Sequence, residues 1–235
     1  MIKIPLVIFG AGDFADIAYE YFTRDSNFEV VAFTVDHEYL KDESKFNLPI
    51  IPFENIGKHL EPKNHYFFAA VTYGKLNDLR EEVGIKAHQL GFQLASYISS
   101  RSFVWPNVSL GEHCFIFEDN TLQPFVSIGN NVVLWSGNHI GHHSQIKDNV
   151  FISSHVVISG NCTIGRNCFI GVNATVVNNI DIGDRSWIGP GTLVTRSLES
   201  GSLVTEAQST IRPLNEELLF KKLNQIASHV QNSEN

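Results

Sequence analysis

Residues 140–194 read IGHHSQIKDNVFISSHVVISGNCTIGRNCFIGVNATVVNNIDIGDRSWIGPGTLV, and every sixth residue, counting from Ile140, is Ile or Val. The same phase runs upstream through Leu134, Ile128, Leu122, Ile116, Leu110 and Val104, which makes sixteen consecutive sixth positions filled by Val, Leu or Ile. If about a quarter of residues are of these types, the chance probability is on the order of 10⁻¹⁰. Helices repeat every ~3.6 residues and strands every ~2, so neither explains a period of six. A parallel β-helix does, because each face of its coil is one short strand plus a turn. Three such faces close a triangular coil, and the run then makes about five coils. Glycine often follows the repeat residue, as at Gly111, Gly129, Gly141, Gly165, Gly171, Gly183 and Gly189, where corners need unusual backbone angles. The unbroken phase predicts that no long loop leaves the prism.

Cys114, Cys162 and Cys168 each fall two places before a repeat residue, where Ser102, Val126, Ser144, Ala174 and Thr192 also fall. They are expected to point inward as small apolar residues. No CxxC spacing suggests zinc, and no metal site is predicted. The chain has 235 residues, 43% hydrophobic and 18% charged, with a formal net charge of −8. That charge argues against nucleic-acid or anionic-membrane binding. No apolar run reaches membrane-spanning length. MIKIPLVIFGAG reads as a strand and turn rather than a signal peptide, so a cytoplasmic location is expected.

Residues 1–100 alternate β and α patterns, which predicts a small Rossmann-like parallel sheet with helices on its faces. LVIFGAG ends a strand in a glycine turn, and DFADIAYEYFTRD has helical spacing with Asp13 placed to cap it. EVVAFTVD is a second strand ending at Asp36, HYFFAAV a third and FQLASYI a fourth. The spacing predicts a helix from Lys75 to Gly91. Residues 101–198 form the β-helix. Residues 199–235 form a tail with a helix-like segment, NEELLFKKLNQIASHV, placed to cap the prism's open end.

Three constellations could carry chemistry. Gly10-Ala11-Gly12-Asp13-Phe14-Ala15 matches GxGxxA between a strand and a helix, with Asp36 closing the next strand. Glycines admit a phosphate, the helix N-terminus attracts it, and a carboxylate receives ribose or base donors. A tight structural turn is the alternative. Asn138-His139-Ile140-Gly141-His142-His143 places three of the ten histidines together, with His155 two faces further on. Imidazole is the natural general base, and solvated corner histidines are the alternative. Gly160, Gly171, Gly189 and Gly191, with Arg166, Arg185 and Arg196 nearby, would leave a groove for an extended ligand with cations to meet phosphates.

The run from His142 to Val194 resembles the left-handed β-helix acyltransferases. With the GAGDFA domain, the chain to about residue 212 resembles the bacterial sialic-acid O-acetyltransferase and UDP-bacillosamine N-acetyltransferase family. The resemblance, not the periodicity, implies the left hand, a homotrimer, and acetyl-CoA lying between neighbouring prisms. In that family a histidine opens an H-[DEN]-C-x-I-G-[DE] motif and serves as general base. Here His142-His143-Ser144-Gln145-Ile146-Lys147-Asp148 occupies those places, so the resemblance gives His142 the base role, with His143 where an acidic or amide residue usually stands. Two further family histidines are replaced by Phe14 and Phe151, and the usual GVPA stretch by VTEAQSTIRPL. The resemblance implies that the Gly160 N–H meets the thioester carbonyl and that Val172 lines the pantetheine groove. The candidate acetyl-CoA residues are Gly160, Val172, Arg185, Gly189 and Gly191. The candidate nucleotide-sugar residues are Gly10, Gly12, Asp13, Phe14, Asp36, Tyr73 and Lys75, with Asn77 and Arg80 on the same stretch.

The expected activity is acetyl-CoA-dependent N-acetylation of a nucleotide-linked amino sugar for surface glycan synthesis, by direct attack without a metal. Sugar O-acetylation is an alternative. A zinc lyase of the γ-carbonic anhydrase type, using His139, His142, His143 and His155, and a non-catalytic nucleotide sensor are further alternatives.

Overall fold

The computed structural model describes residues 3–205. The predicted C-terminal helix lies outside the described residues. The first part is a six-stranded sheet built from β1 (Ile4–Phe9), β2 (Phe28–Val35), β3 (Ser44–Lys45), β4 (Leu48–Pro52), β5 (Tyr66–Ala69) and β6 (Gln93–Leu94), in the order β3-β4-β2-β1-β5-β6. All pairs are parallel except β3–β4. Helices α1 (Asp13–Arg24), α2 (Ile56–His59) and α3 (Asp78–Gln89) complete it. The strand order reverses at β1, whose two neighbours are β2 and β5, so the crevice at their carboxyl ends is the expected ligand position of a doubly wound sheet.

Asp13 is not the helix cap. Gly12 takes that position in extended backbone, and Asp13 opens the first turn. The expected helix from Lys75 also starts later, at Asp78. Lys75, Leu76 and Asn77 all adopt left-handed φ, between 51° and 69°, a run that an α-helix cannot contain.

FQLASYI divides between the two parts. Gln93–Leu94 is the sheet's edge strand, whereas Tyr97–Ile98 pairs with Phe115–Ile116 as the first rung of a three-faced prism. The prism therefore begins before residue 101, and it continues to Leu203–Val204. In each two-residue rung the second residue points inward. These residues, with the three cysteines, form one core of Ile, Leu, Val and Cys side chains. The cysteines are free and buried, as their spacing predicts. The outward residues differ by face. Face one presents Tyr97, Phe115, Val133, Phe151, Phe169 and Trp187. Face two presents Phe103, Thr121, His139, Val157, Thr175 and Leu193. Face three presents Ser109, Ser127, Gln145, Thr163 and Asp181.

Face one is apolar because the α/β part covers it. Phe14, Phe22, Phe68 and Tyr21 pack on Phe115, Phe117 and Tyr97. Phe14, expected to meet substrate, is only 6% exposed and lies in this aromatic cluster beside Trp135, so its role is packing between the two parts. Polar stitches flank the cluster. The Tyr21 hydroxyl donates to Glu118 and the Tyr97 hydroxyl to Asp25, both at 2.7 Å.

Candidate active site

The first half of the site is the sheet crevice. Gly10 has φ +118°, and a Cβ there would sit 2.9 Å from the Ala70 carbonyl oxygen, so only glycine lets the β1 and β5 loops close together. A Cβ on Gly12 would meet nothing, so space is open in front of the α1 N-terminus. Ala11, Gly12, Val35, Tyr39, Lys41 and Asp42 line a cleft of about 300 Å³ there. Lys45 donates to the Ala11 carbonyl at 2.9 Å and pairs with Asp16. Asp36 follows β2, next to Val35, which lines the cleft. Burial, then neighbouring Glu54, pushes its carboxyl above the usual range. The glycine motif points to this crevice; it gives no sign of Tyr39 and Lys41, from the connection after β2, or of Lys45, which ends β3. The signal available for them is a tyrosine and two lysines just beyond the second strand.

Tyr73 follows β5. Its ring rests on Phe151, Phe169 and Trp187 of face one and is 41% exposed. Lys75 lies two residues on, in the left-handed turn. Asn77 and Arg80 turn away from the cleft and into the prism. Asn77 donates to the Cys168 carbonyl at 3.1 Å. Arg80 is fully buried and donates to the carbonyls of Val71, Thr72 and Asn131 and to the side chains of Asn77 and Asn131. Burial pulls its guanidinium down to about 9.

The second half of the site is the corner between faces two and three. His142 and His143 are exposed there. The His142 ring lies over Gly160 of the next coil: a Cβ on Gly160 would stand 2.8 Å from His142 Nε2, so the ring's seat requires glycine. The His142 N–H donates to Gln123 Oε1 and its carbonyl accepts from the Asn161 N–H, both at 2.9 Å. His142 Nδ1 lies 3.1 Å from His143 Nδ1, with the rings nearly perpendicular at 86°. His143 stacks on Phe125 one coil earlier, 4.5 Å between ring centres.

The remaining candidates divide among other corners. Val172, Gly189 and Gly191 lie at the corner between faces one and two, which shares face two with the His142 corner. Arg185 lies at the third corner, where both guanidinium nitrogens donate to the Asp78 carboxylate at 2.9 and 3.0 Å. It ties α3 to the prism, with its side chain still half-exposed. His155 sits at the face one–two corner over Gly137, and His139 on face two, so the four histidines do not converge. Among the described residues no three His, Cys, Asp or Glu side chains group as metal ligands. Burial pushes the Cys114 and Cys168 thiols up to about 11 and also raises Cys162, which leaves all three inert as nucleophiles.

These features define a hexapeptide-repeat, left-handed β-helix joined to a small doubly wound α/β domain. Residues 125–160 and 161–196 each match the bacterial transferase hexapeptide (six repeats) family model. Among solved structures, a variant of perosamine N-acetyltransferase from Caulobacter crescentus, in complex with CoA and GDP-perosamine, superposes with a TM-score of 0.78 at 23% identity, over 89% of this chain and 97% of that one. The acetyltransferase domain of PglB from Neisseria gonorrhoeae superposes at 0.77 and 21% identity, over 90% and 100%. WeeI from Acinetobacter baumannii superposes at 0.67 and 19% identity, over 88% and 99%. No match to a curated protein sequence is found. The superpositions span both parts of the chain, so the whole two-part architecture is shared.

Proposed function

We propose that the chain is an acetyl-CoA-dependent N-acetyltransferase acting on a nucleotide-linked amino sugar. The observation that carries this reading is the His142 imidazole, seated against Gly160 at an exposed prism corner and held by its own hydrogen bonds. The architecture shared with a protein that binds CoA and GDP-perosamine supports it, as does the open cleft at the α1 N-terminus. The nucleotide would lie over Gly10 and Gly12, near Asp13 and Asp36. Tyr73 and Lys75 would flank the sugar. Acetyl-CoA would run along face two, between the Gly160 corner and the corner of Val172, Gly189 and Gly191.

In the reaction the sugar amine adds to the thioester carbon as His142 Nε2 takes its proton. The carbonyl oxygen, now negative, is met by the Gly160 N–H, which has no acceptor among the described residues. Collapse breaks the C–S bond, and His142 returns the proton to the leaving sulfur, giving an amide and free CoA. A positioned base of this kind contributes about 10²–10⁴ in rate, and one oxyanion donor about 3 kcal/mol.

The two halves of the site stand on different sides of the prism. The α/β part covers face one, and His142 stands where the other two faces meet. This arrangement supports a homotrimer in which the sugar held by one chain reaches His142 of a neighbour.

His142→Ala is expected to lower kcat about 10²-fold or more without changing acetyl-CoA affinity. The assay is CoA release with GDP-perosamine and other UDP-, dTDP- and GDP-linked amino sugars. A variant with unchanged kcat on the preferred acceptor overturns the assignment of the base.

A further inference from the structure

His142 Nε2 can accept a proton only if Nδ1 carries the ring's own hydrogen, because a neutral imidazole has one N–H. The 3.1 Å contact from His142 Nδ1 to His143 Nδ1 then has a single consistent direction: His142 Nδ1–H donates, and His143 Nδ1 accepts. His143 must therefore be neutral and carry its hydrogen on Nε2. Among the described residues, the groups shown in contact with the two histidines are Gln123, Pro124, Phe125, Gly160 and Asn161, none of which has a titratable side chain.

His143 is also unusually fixed for an exposed residue. Its backbone has φ +61°, at a corner position that Asn fills at 131, 149, 161, 167, 173 and 179. Its N–H donates to the Pro124 carbonyl at 3.2 Å, and its ring stacks on Phe125. These three restraints aim Nδ1 at its neighbour.

We propose that His143 is a positioning residue that sets the tautomer of His142, and that it does so as a neutral imidazole. This inference rests on the acetyltransferase reading, which requires His142 Nε2 as the acceptor. The tautomer it assigns is a property of the folded chain and is read without substrate. A neutral partner orients the base without the negative charge that a carboxylate would place behind the forming imidazolium. A pair so built suits an amine, which attacks as the neutral base and whose nitrogen becomes acidic once it has added to the thioester carbon.

The test compares three substitutions in the full-length protein. His143→Asn keeps an acceptor oxygen and suits the left-handed backbone. It is expected to retain kcat within about threefold, because the amide oxygen still accepts the His142 Nδ1–H. His143→Phe keeps the stack on Phe125 without an acceptor. It is expected to lose roughly 10- to 100-fold in kcat, with KM for acetyl-CoA unchanged. His143→Asp also keeps an acceptor oxygen and is expected to hold His142 in the Nδ1–H form.

Nitrogen-15 NMR of the imidazoles reads the tautomer without any substrate. Wild type is expected to show His142 protonated at Nδ1 and His143 at Nε2, and His143→Phe to return His142 toward the Nε2–H form. Wild-type kcat in His143→Phe, or a loss in His143→Asn as large as in His143→Phe, overturns the proposal, as does His142 protonated at Nε2 in the neutral wild-type protein. If His142→Ala keeps full activity while the NMR tautomers are as stated, the catalytic reading falls and the positioning of His142 by His143 stands.

Discussion

His113 accepts a hydrogen bond from the Ala69 N–H through Nε2 at 2.9 Å, and it is almost fully buried between β5 and the prism. Burial first, then the charge of Arg80, pulls its proton affinity down to about 3. In the unfolded chain the same ring takes up a proton near pH 6.5. Between about pH 6.5 and pH 3 the unfolded state therefore binds a proton that the folded state refuses. Stability falls as pH drops through that window, by up to about 1.4 kcal/mol per pH unit from this group. Thermal unfolding at pH 5 and pH 7.5 is expected to show a lower Tm at the acid value. The difference should shrink in His113→Asn, whose side chain does not titrate and suits the left-handed φ of 59° at this corner. An equal difference in both proteins would assign the acid loss elsewhere. His113 and His143 occupy the same left-handed position of the six-residue repeat, and that period alone cannot separate them. The covering domain decides which histidine is structure and which is exposed.

At the scale of elements, one line of hydrogen bonds joins α3 to the corner between faces three and one. Arg80 donates to Asn131 at 3.0 Å, Asn131 to Asn149 at 2.9 Å, Asn149 to Asn167 at 3.2 Å, and Asn167 to Asp78 at 2.9 Å. Every amide points the same way, with a cation at the donor end and a carboxylate, itself held by Arg185, at the acceptor end. Arg80 thus stays buried without a direct ion pair among the described residues: aligned dipoles link it to Asp78, and the neighbouring Glu81 adds a favourable charge. Asn149→Ala would leave the Asn131 donor and the Asn167 acceptor unpaired, at about 1–3 kcal/mol each, and would add a strained left-handed alanine. A fall in unfolding free energy of roughly 3 kcal/mol is expected in denaturant titration; a change under about 1 kcal/mol would show that the line does not act as a unit. The sixfold period makes the prism, its inward cysteines and its corners legible in the sequence, and alternating patterns reveal the sheet. The division of FQLASYI between two parts is not legible, because a rung of two residues looks like the end of a strand. Nor are the packing of Phe14 and the contacts of Arg80 and Arg185, since all three depend on which face the domain covers. The outward series Tyr97, Phe115, Val133, Phe151, Phe169, Trp187 does carry that information, one sixth-position register away from the inward residues.

At the scale of the whole molecule, the covering of face one has a consequence for catalysis. Face one is where the α/β part sits, its polar stitches fix it there, and His142 projects from the opposite corner. On the proposed reading, a sugar bound over Gly12 would meet His142 of a neighbour in a cyclic assembly, rather than His142 of its own chain. Two separately inactive variants should restore each other. Gly12→Val places a side chain in the open cleft; no atom of the folded chain lies within 4 Å of its Cβ, so folding is expected to survive while nucleotide binding is lost. His142→Ala keeps the cleft and lacks the base. In a trimer reassembled from equal amounts of both, each site draws its cleft from one chain and its base from the next. About a quarter of sites then combine an intact cleft with an intact base, so roughly a quarter of wild-type activity is expected after co-expression or denaturation and refolding together. Mixing the folded variants without subunit exchange should give none. If co-assembled chains remain inactive while wild type treated in the same way recovers, cleft and base belong to one chain. The sugar would then have to pass around the edge of the prism to reach His142.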